Sequence, residues 1–137
     1  MAEPPPVELI RAPELAQRVP YASAATTRNR VLCVFTAGAC PLDKPGWTVA
    51  AGDVVAQADQ AMGNLRHALR AAGAGLDDVV KTTVYVASSD RSDLVAAWQV
   101  VHRHFGDHEP PSTLLGVTIL GYPDQLVEVE AIAALAG

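Results

Sequence analysis

Two glutamates near the C-terminal end of the chain are the side chains best placed to move protons. Glu128 and Glu130 lie within residues 126–134, whose alternating apolar pattern predicts a β-strand. Residues two apart in a strand share a face, so the two carboxylates should lie about 7 Å apart. A positioned carboxylate can hold water and shuttle its protons, but it can also simply pair with an Arg across an interface. Both interpretations are open for Glu128, and an interface or rim ion pair is favoured for Glu130.

Cys40, just beyond the turn at Gly38, is the one cysteine with a claim to chemistry. A thiolate nucleophile needs a nearby base or cation, and no such partner can be named from the sequence. Lining of a cleft and an inert buried thiol are therefore the other interpretations of Cys40. Cys33 alternates with apolar residues in a predicted strand, which indicates a core position.

The histidines do not form a metal-binding pattern. His102 and His104 fall on opposite flanks of a predicted helix, so they cannot share an ion as residues four apart could. His108 lies beyond the end of that helix. The sequence also lacks a phosphate-binding glycine loop, a nucleophile elbow and a Cys-x-x-Cys pair. We therefore predict no metal and no cofactor.

The elements that must position these groups follow from the hydrophobic period. Residues 23–27 and 31–37 are predicted to be strands joined by a tight turn. A helix begins after Asp53, a good N-cap, and ends at Gly73. The other predicted elements are strands at residues 79–86, 112–119 and 126–134, and a helix at residues 91–105.

This order predicts an α+β fold, a sheet of four or five strands with both helices on one face. The opposite face, which carries Glu128 and Glu130 among apolar residues, then needs a cover. Two carboxylates on such a face are costly for a monomer, whereas an oligomer interface that contains a ligand cleft would explain them.

Composition limits the classes of protein that remain. The 137 residues are 50% hydrophobic and 18% charged, which excludes intrinsic disorder, and no apolar run is long enough to span a bilayer. A net charge of −5 without a basic cluster argues against nucleic-acid partners. The first residues lack the pattern of a signal peptide, which predicts a cytoplasmic protein. We expect a single domain over residues 1–137, with residues 1–6 as an extended proline-rich arm.

Five segments stand out in order along the chain: Pro20-Tyr21, the stretch Phe35-Thr36-Ala37-Gly38, Asn64-Leu65, Val79-Val80-Lys81-Thr82-Thr83-Val84-Tyr85-Val86, and Val127-Glu128-Val129-Glu130-Ala131-Ile132-Ala133. In this order they resemble the YjgF/Rid family, the reactive-intermediate deaminases once labelled L-PSP endoribonucleases. The resemblance implies a chorismate-mutase-like fold, a homotrimeric barrel, and a small-molecule cleft at each subunit interface. It supports Glu128 as the catalytic residue, positioning water for imine hydrolysis.

The chain departs from the family pattern at several polar positions. The Arg that grips a substrate carboxylate in the archetypal deaminases is replaced by Ser112, which carries no charge. Ala37 replaces a hydroxyl in the loop before Gly38, and Trp98 stands where an Asn often lines the cleft. Core packing is the favoured interpretation of Trp98, and an aromatic cleft wall is the alternative.

The resemblance therefore implies a substrate-binding set around Glu128, formed by Tyr21, Ala37, Gly38, Cys40, Trp98, Ser112 and Leu114. We expect a trimer that binds a small metabolite. It would be either a hydrolase acting on the C–N bond of imines or enamines with unusual specificity, or a catalytically silent metabolite-binding or sensing protein. Ribonuclease activity gains no support from the charge balance.

Overall fold

The computed structural model describes residues 4–137, so the first half of the predicted arm lies outside the described residues. The strands are β1 (Val7–Ile10), β2 (Ala24–Thr27), β3 (Val31–Phe35), β4 (Val79–Val86), β5 (Ser112–Gly116) and β6 (Val127–Ala136). The helices are α1 (Val54–Ala71) and α2 (Arg91–Phe105), and a short 3-10 turn, Leu76–Asp78, precedes β4. The predicted helices and the strand at 79–86 are confirmed.

The main sheet has four strands in the order β3-β6-β4-β5. Strands β4 and β5 are parallel, and a parallel pair needs a long crossover, which α2 provides. The predicted pairing of β2 with β3 is wrong among the described residues. Strand β2 pairs with β1 in a separate two-stranded sheet, while β3 pairs along its length with β6. Strand β6, ten residues long, forms hydrogen bonds with β3 on one edge and with β4 on the other. The turn residues between β2 and β3 give no indication of this distant partner.

The ends of both helices follow local chemistry. The side chain of Asp53 accepts a hydrogen bond from the Ala56 amide at 3.0 Å, which satisfies one of the free N–H groups at the start of α1. Asp90 caps α2 in the same way through the Ser92 amide at 2.9 Å. Gly73 follows α1 with a φ of +83°, a conformation that costs glycine little.

The core lies between the two helices and one face of the main sheet. Its strand side is formed by small aliphatic residues, among them Val84, Val127 and Val129, all fully buried. The alternation of buried and exposed side chains along β4 is interrupted at its first residues, because a bulge lies between Val79 and Lys81. The bulge buries Val79, not the next residue as strict alternation predicts.

The opposite face of the sheet has no cover within the part of the chain that the structure describes. Phe35 is 73% exposed, and Cys33, expected in the core, is exposed beside it. Burial does not alternate along β3, since Leu32 is also exposed, and Val34 is the residue of this strand that packs against the core. Glu128 and Glu130 project from the same open face and are half-buried. The α+β fold with both helices on one side is thus confirmed. No helix within residues 4–137 is both long and apolar enough to cross a membrane.

Candidate functional site

Glu128 is held at one of its two carboxylate oxygens. The Cys40 thiol donates a hydrogen bond to Oε1 at 3.0 Å, and the Gln125 amide donates to the same oxygen at 3.2 Å. The neighbours of Glu128 in β6, Val127 and Val129, are fully buried and fix the strand that carries it. The described residues donate no hydrogen bond to Oε2 of Glu128.

Gly38 brings the loop after β3 into contact with this carboxylate. The loop is fastened to β6 by a pair of backbone hydrogen bonds between Ala39 and Val129, at 2.7 and 3.0 Å. A Cβ placed on Gly38 would lie 2.5 Å from Cδ of Glu128, well inside van der Waals contact. Any larger residue here would therefore have to displace the Glu128 carboxylate.

Cys40 is a hydrogen-bond donor in this arrangement. Burial raises the pKa of its thiol to about 11, and the hydrogen bond and negative charge of Glu128 act in the same direction. The thiol therefore stays protonated at neutral pH. Because the thiolate is the nucleophilic form, a nucleophilic role for Cys40 has no support from its surroundings.

The first groove runs between this loop and α1. Ala37, Gly38 and Cys40 line it, together with polar residues of the loop and helix, and its volume is about 830 Å³. Asn64 of α1 holds the loop by donating to the carbonyls of Cys40 at 2.8 Å and Leu42 at 2.9 Å. The helix thereby positions the residues that contact Glu128.

The other predicted binding residues line a second groove of about 500 Å³, formed by Pro20, Tyr21, Trp98, Ser112, Thr113 and Leu114. None of these lining side chains is charged. The Ser112 hydroxyl donates to the Pro110 carbonyl at 2.7 Å, so its only proton is engaged with the backbone. The position of the archetypal Arg thus offers no cation.

Trp98 both packs against the core and lines the second groove. Its ring stacks on His102 with the centroids 6.1 Å apart, and His102 Nε2 lies 2.9 Å from a carboxylate oxygen of Glu109. Glu109 also accepts from Arg11 at 3.0 Å, which ties the N-terminal segment to the end of α2. The two interpretations of Trp98, core residue and aromatic wall, are therefore compatible.

Ser112 and Glu128 lie on different faces of the main sheet. Ser112 pairs with Thr82, which is fully buried under the helices, whereas Glu128 pairs with Tyr85 on the open face. Laterally paired residues share a face, so Ser112 and Glu128 point to opposite sides. The structure brings Gly38, Cys40 and Glu128 together but leaves Ser112 and its neighbours apart from them.

Glu130 has a neutral partner within the chain. The Tyr85 hydroxyl donates to its Oε1 at 2.6 Å, and this hydrogen bond is the main cause that raises the pKa of the Tyr85 phenol. Among the described residues, no Lys, Arg or His forms an ion pair with Glu130. An ion pair of Glu130 is therefore not formed within residues 4–137, and an ion pair across an interface stays a prediction.

The histidines of α2 and of the segment that follows it have separate partners. His104 contacts the Asp59 carboxylate at 2.7 Å, and His108 contacts the Val79 carbonyl at 2.7 Å. Within residues 4–137, no three His, Cys, Asp or Glu side chains are grouped so that they could hold a metal ion.

Gln125 contacts Glu128 but is not among the residues that the sequence predicts for the site. It is 4% exposed, and its amide donates to the Val127 carbonyl at 3.1 Å as well as to Glu128. A glutamine in a turn has no periodic signal. Its one sequence clue is its place three residues before Glu128.

Comparison with known proteins agrees with these features. The family model described as Endoribonuclease L-PSP matches residues 11–135. A RutC family protein of Pyrococcus horikoshii is 35% identical over 83% of this chain and 86% of its own. A 2-iminobutanoate/2-iminopropanoate deaminase of Salmonella typhimurium is 36% identical over 73% and 77%. The crystal structure of the Rid family protein YyfB from Yersinia pestis superposes with a TM-score of 0.83, at 30% identity over 95% of this chain and 99% of that one. The resemblance seen in the sequence is thus confirmed, and the chain belongs to the endoribonuclease L-PSP family of YjgF/Rid and RutC proteins.

Proposed function

We propose that the protein hydrolyses the C=N bond of small imines or their enamine tautomers, with Glu128 as the catalytic residue. The observation that carries the proposal is the half-buried carboxylate held by two donors on Oε1, with Oε2 left without a protein donor among residues 4–137. Relatives of the chain include 3-aminoacrylate and 2-iminobutanoate/2-iminopropanoate deaminases, which act on this class of bond.

In the proposed reaction, Glu128 orients a water molecule and takes one of its protons as the water oxygen bonds to the imine carbon. Glu128 returns that proton to the nitrogen, which gives a carbinolamine. The carboxylate then moves the hydroxyl proton of the carbinolamine to the nitrogen as the C–N bond breaks, and the carbonyl product and ammonia leave. The atoms balance as imine plus water giving carbonyl plus ammonia. A carboxylate that both accepts and returns a proton is sufficient for this sequence.

We further propose that the working unit is a homotrimer with a cleft at each interface. Two features of a single chain support this proposal: the open sheet face with exposed Phe35, and the placement of Ser112 and Glu128 on opposite sides of the sheet. A neighbouring subunit would cover the open face. It would also bring its own second groove to the Glu128 of the first chain.

The proposed substrates lack a carboxylate next to the imine. Recognition of a carboxylate relies on a guanidinium or another cation, and the second groove offers only neutral side chains, with the Ser112 proton engaged by Pro110. Tyr21 and Trp98 would instead contact an apolar or aromatic group of the substrate.

The test compares the hydrolysis of two imines that oxidases generate in situ. A nucleophile that reacts with the imine is added, so that its capture of the imine competes with hydrolysis. An amino-acid oxidase supplies a 2-imino acid, and an amine oxidase supplies an imine of the same chain length without the carboxylate. We expect the protein to speed hydrolysis of the uncharged imine more than that of the imino acid. Ser112→Arg should raise activity on the imino acid selectively, and Glu128→Gln should abolish acceleration of both.

Fast hydrolysis of the 2-imino acid that Glu128→Gln leaves unchanged would refute both the substrate preference and the role of Glu128. Size-exclusion chromatography with light scattering tests the trimer. A monomer at assay concentrations that still turns over substrate would contradict the shared cleft.

The alternative is a catalytically silent metabolite-binding protein on the same scaffold. The loss of the charged anchor at Ser112 favours it, because an enzyme that loses its substrate anchor can retain a binding groove. A thermal-shift screen of neutral and carboxylated metabolites, followed by turnover assays on each hit, distinguishes the two. Binding without turnover of any hit supports the silent form.

A further inference from the structure

We propose that Cys40 is a positioning residue for Glu128: its thiol holds Oε1 and thereby leaves Oε2 as the oxygen that handles the water proton. The proposal rests on the hydrolytic function above. It replaces the substrate contact that the sequence predicted for Cys40 with a contact to the catalytic side chain itself.

The contact is specific in its geometry. A thiol has a single proton to donate, and the Cys40 Sγ lies 3.0 Å from Oε1 of Glu128 and 3.5 Å from the Gly38 carbonyl. The shorter contact is to a charged acceptor, which makes the stronger hydrogen bond. The Cys40 thiol therefore donates its proton in a hydrogen bond to Glu128, not to the Gly38 carbonyl.

Gln125 supplies a second donor that cannot follow the carboxylate if it moves. Its side-chain oxygen accepts from the Tyr122 amide at 3.1 Å, and its nitrogen is shared between Glu128 at 3.2 Å and the Val127 carbonyl at 3.1 Å. With both ends of this amide bonded, the position of Oε1 is defined from one side by Gln125 and from the other by Cys40.

The backbone that carries the thiol is equally restrained. Asn64 donates to the Cys40 carbonyl at 2.8 Å, Pro41 is fully buried, and Ala39 is bonded to Val129 on both its N–H and its C=O. The sulfur is thus fixed relative to β6, the strand that carries Glu128. A thiol on a mobile loop could not select one oxygen of a carboxylate, but this one can.

The protonation state of Cys40 suits a donor. Burial and Glu128 raise the pKa of the thiol to about 11, so it carries its proton throughout the neutral range. The other titratable groups of the first groove are Asp43, Lys44, His67 and Tyr122. None of them makes a hydrogen bond with Sγ, so Glu128 is the charged partner of the thiol.

The first experiment is a kinetic comparison on an imine that the wild-type protein hydrolyses. Cys40→Ala should lower kcat about tenfold with KM little changed, because it removes a contact to the catalytic group and none to substrate. Cys40→Ser, which keeps a donor of similar size, should restore most of kcat. A rise in KM with kcat unchanged, or equal losses in the Ala and Ser variants, would overturn the proposal.

The second experiment needs no catalytic activity, so it separates failure of this inference from failure of the proposed function. Iodoacetamide alkylation of Cys40, followed by peptide mass spectrometry across pH 7–11, reports the thiolate fraction, and Cys33 in the same chain is the internal control. Glu128→Gln should speed alkylation of Cys40 at pH 8 at least several-fold and leave that of Cys33 unchanged, because it removes the charge that disfavours the thiolate. An unchanged rate at Cys40 would show that the thiol does not bond to Glu128, even if the enzyme is active. A faster rate in a protein without turnover would support the contact and refute only the hydrolase.

Discussion

Gly38→Ala tests most directly whether the loop after β3 and the Glu128 carboxylate are in close contact. The new Cβ would lie 2.5 Å from Cδ and 2.8 Å from Cγ of Glu128, whereas carbon atoms in contact normally lie about 3.5–4.0 Å apart. The two groups must therefore separate by about 1 Å. Either the loop backbone or the carboxylate has to move.

The backbone is the more resistant of the two. On one side of Gly38, the Thr36 amide donates to the Ala131 carbonyl at 3.0 Å, and on the other, Ala39 and Val129 exchange two hydrogen bonds. The carboxylate is the far end of a flexible side chain. A displacement of about 1 Å takes it out of hydrogen-bond range of the Cys40 and Gln125 donors, whose present distances are 3.0 and 3.2 Å.

The expected loss of stability is modest and the expected loss of activity is large. Hydrogen bonds to charged groups contribute about 1.5–3 kcal/mol each, and the displaced carboxylate regains water, so we expect Gly38→Ala to lower the free energy of unfolding by about 1–3 kcal/mol. General acid–base catalysis contributes about 10²–10⁴-fold, so imine hydrolysis should fall at least about 100-fold. Urea denaturation and the trap-competition assay measure the two effects.

Gly63→Ala is the matched control. Gly63 lies inside α1, and a Cβ there meets no atom within 4 Å. The free energy of unfolding should therefore rise by about 0.5–1 kcal/mol, with activity unchanged. Adding Glu128→Ala to Gly38→Ala should recover stability, because it removes the atoms that clash. A Gly38→Ala variant with wild-type activity, or no recovery in the double variant, would refute the reasoning.

Two further predictions concern the side chains that hold the site. Gln57 is fully buried, accepts from the Leu126 amide at 2.7 Å and donates to the Asp124 carbonyl at 2.9 Å. Gln57→Leu leaves the Leu126 amide and the Asp124 carbonyl without their hydrogen-bond partner. It should lower the free energy of unfolding, measured by urea denaturation, by about 2–4 kcal/mol. A loss below about 0.5 kcal/mol would contradict this prediction. Asn64→Ala should cost about 1–2 kcal/mol and speed alkylation of Cys40, since it frees the loop, and unchanged alkylation would show that Asn64 does not restrain it.

Local signals were sufficient wherever an element is stabilised by its own residues. Helix α1 follows from the Asp53 cap, its apolar spacing and Gly73, and β4 from its alternation. Local signals are insufficient where a strand pairs with a segment that is distant in the sequence. Strand β1, only four residues long, carries no pattern distinct from a loop, and the partner of β3 lies about a hundred residues away. The sequence predicts a core position for Cys33 because alternation shows that the two faces of a strand differ, but it does not show which face the helices cover.

For the candidate site, the sequence by itself determined the residue types and their order: a glutamate on the less apolar face of a strand, a glycine and a cysteine in a loop, and a serine where the family has an Arg. Tertiary structure decided which of them meet. The Cys40 contact to Glu128 joins residues 88 apart in the chain, and the separation of Ser112 from Glu128 depends on strand register across β4. The contact depends on packing of the loop against β6, and the separation depends on which face of the sheet each residue occupies. The sequence pattern along the chain contains neither kind of information.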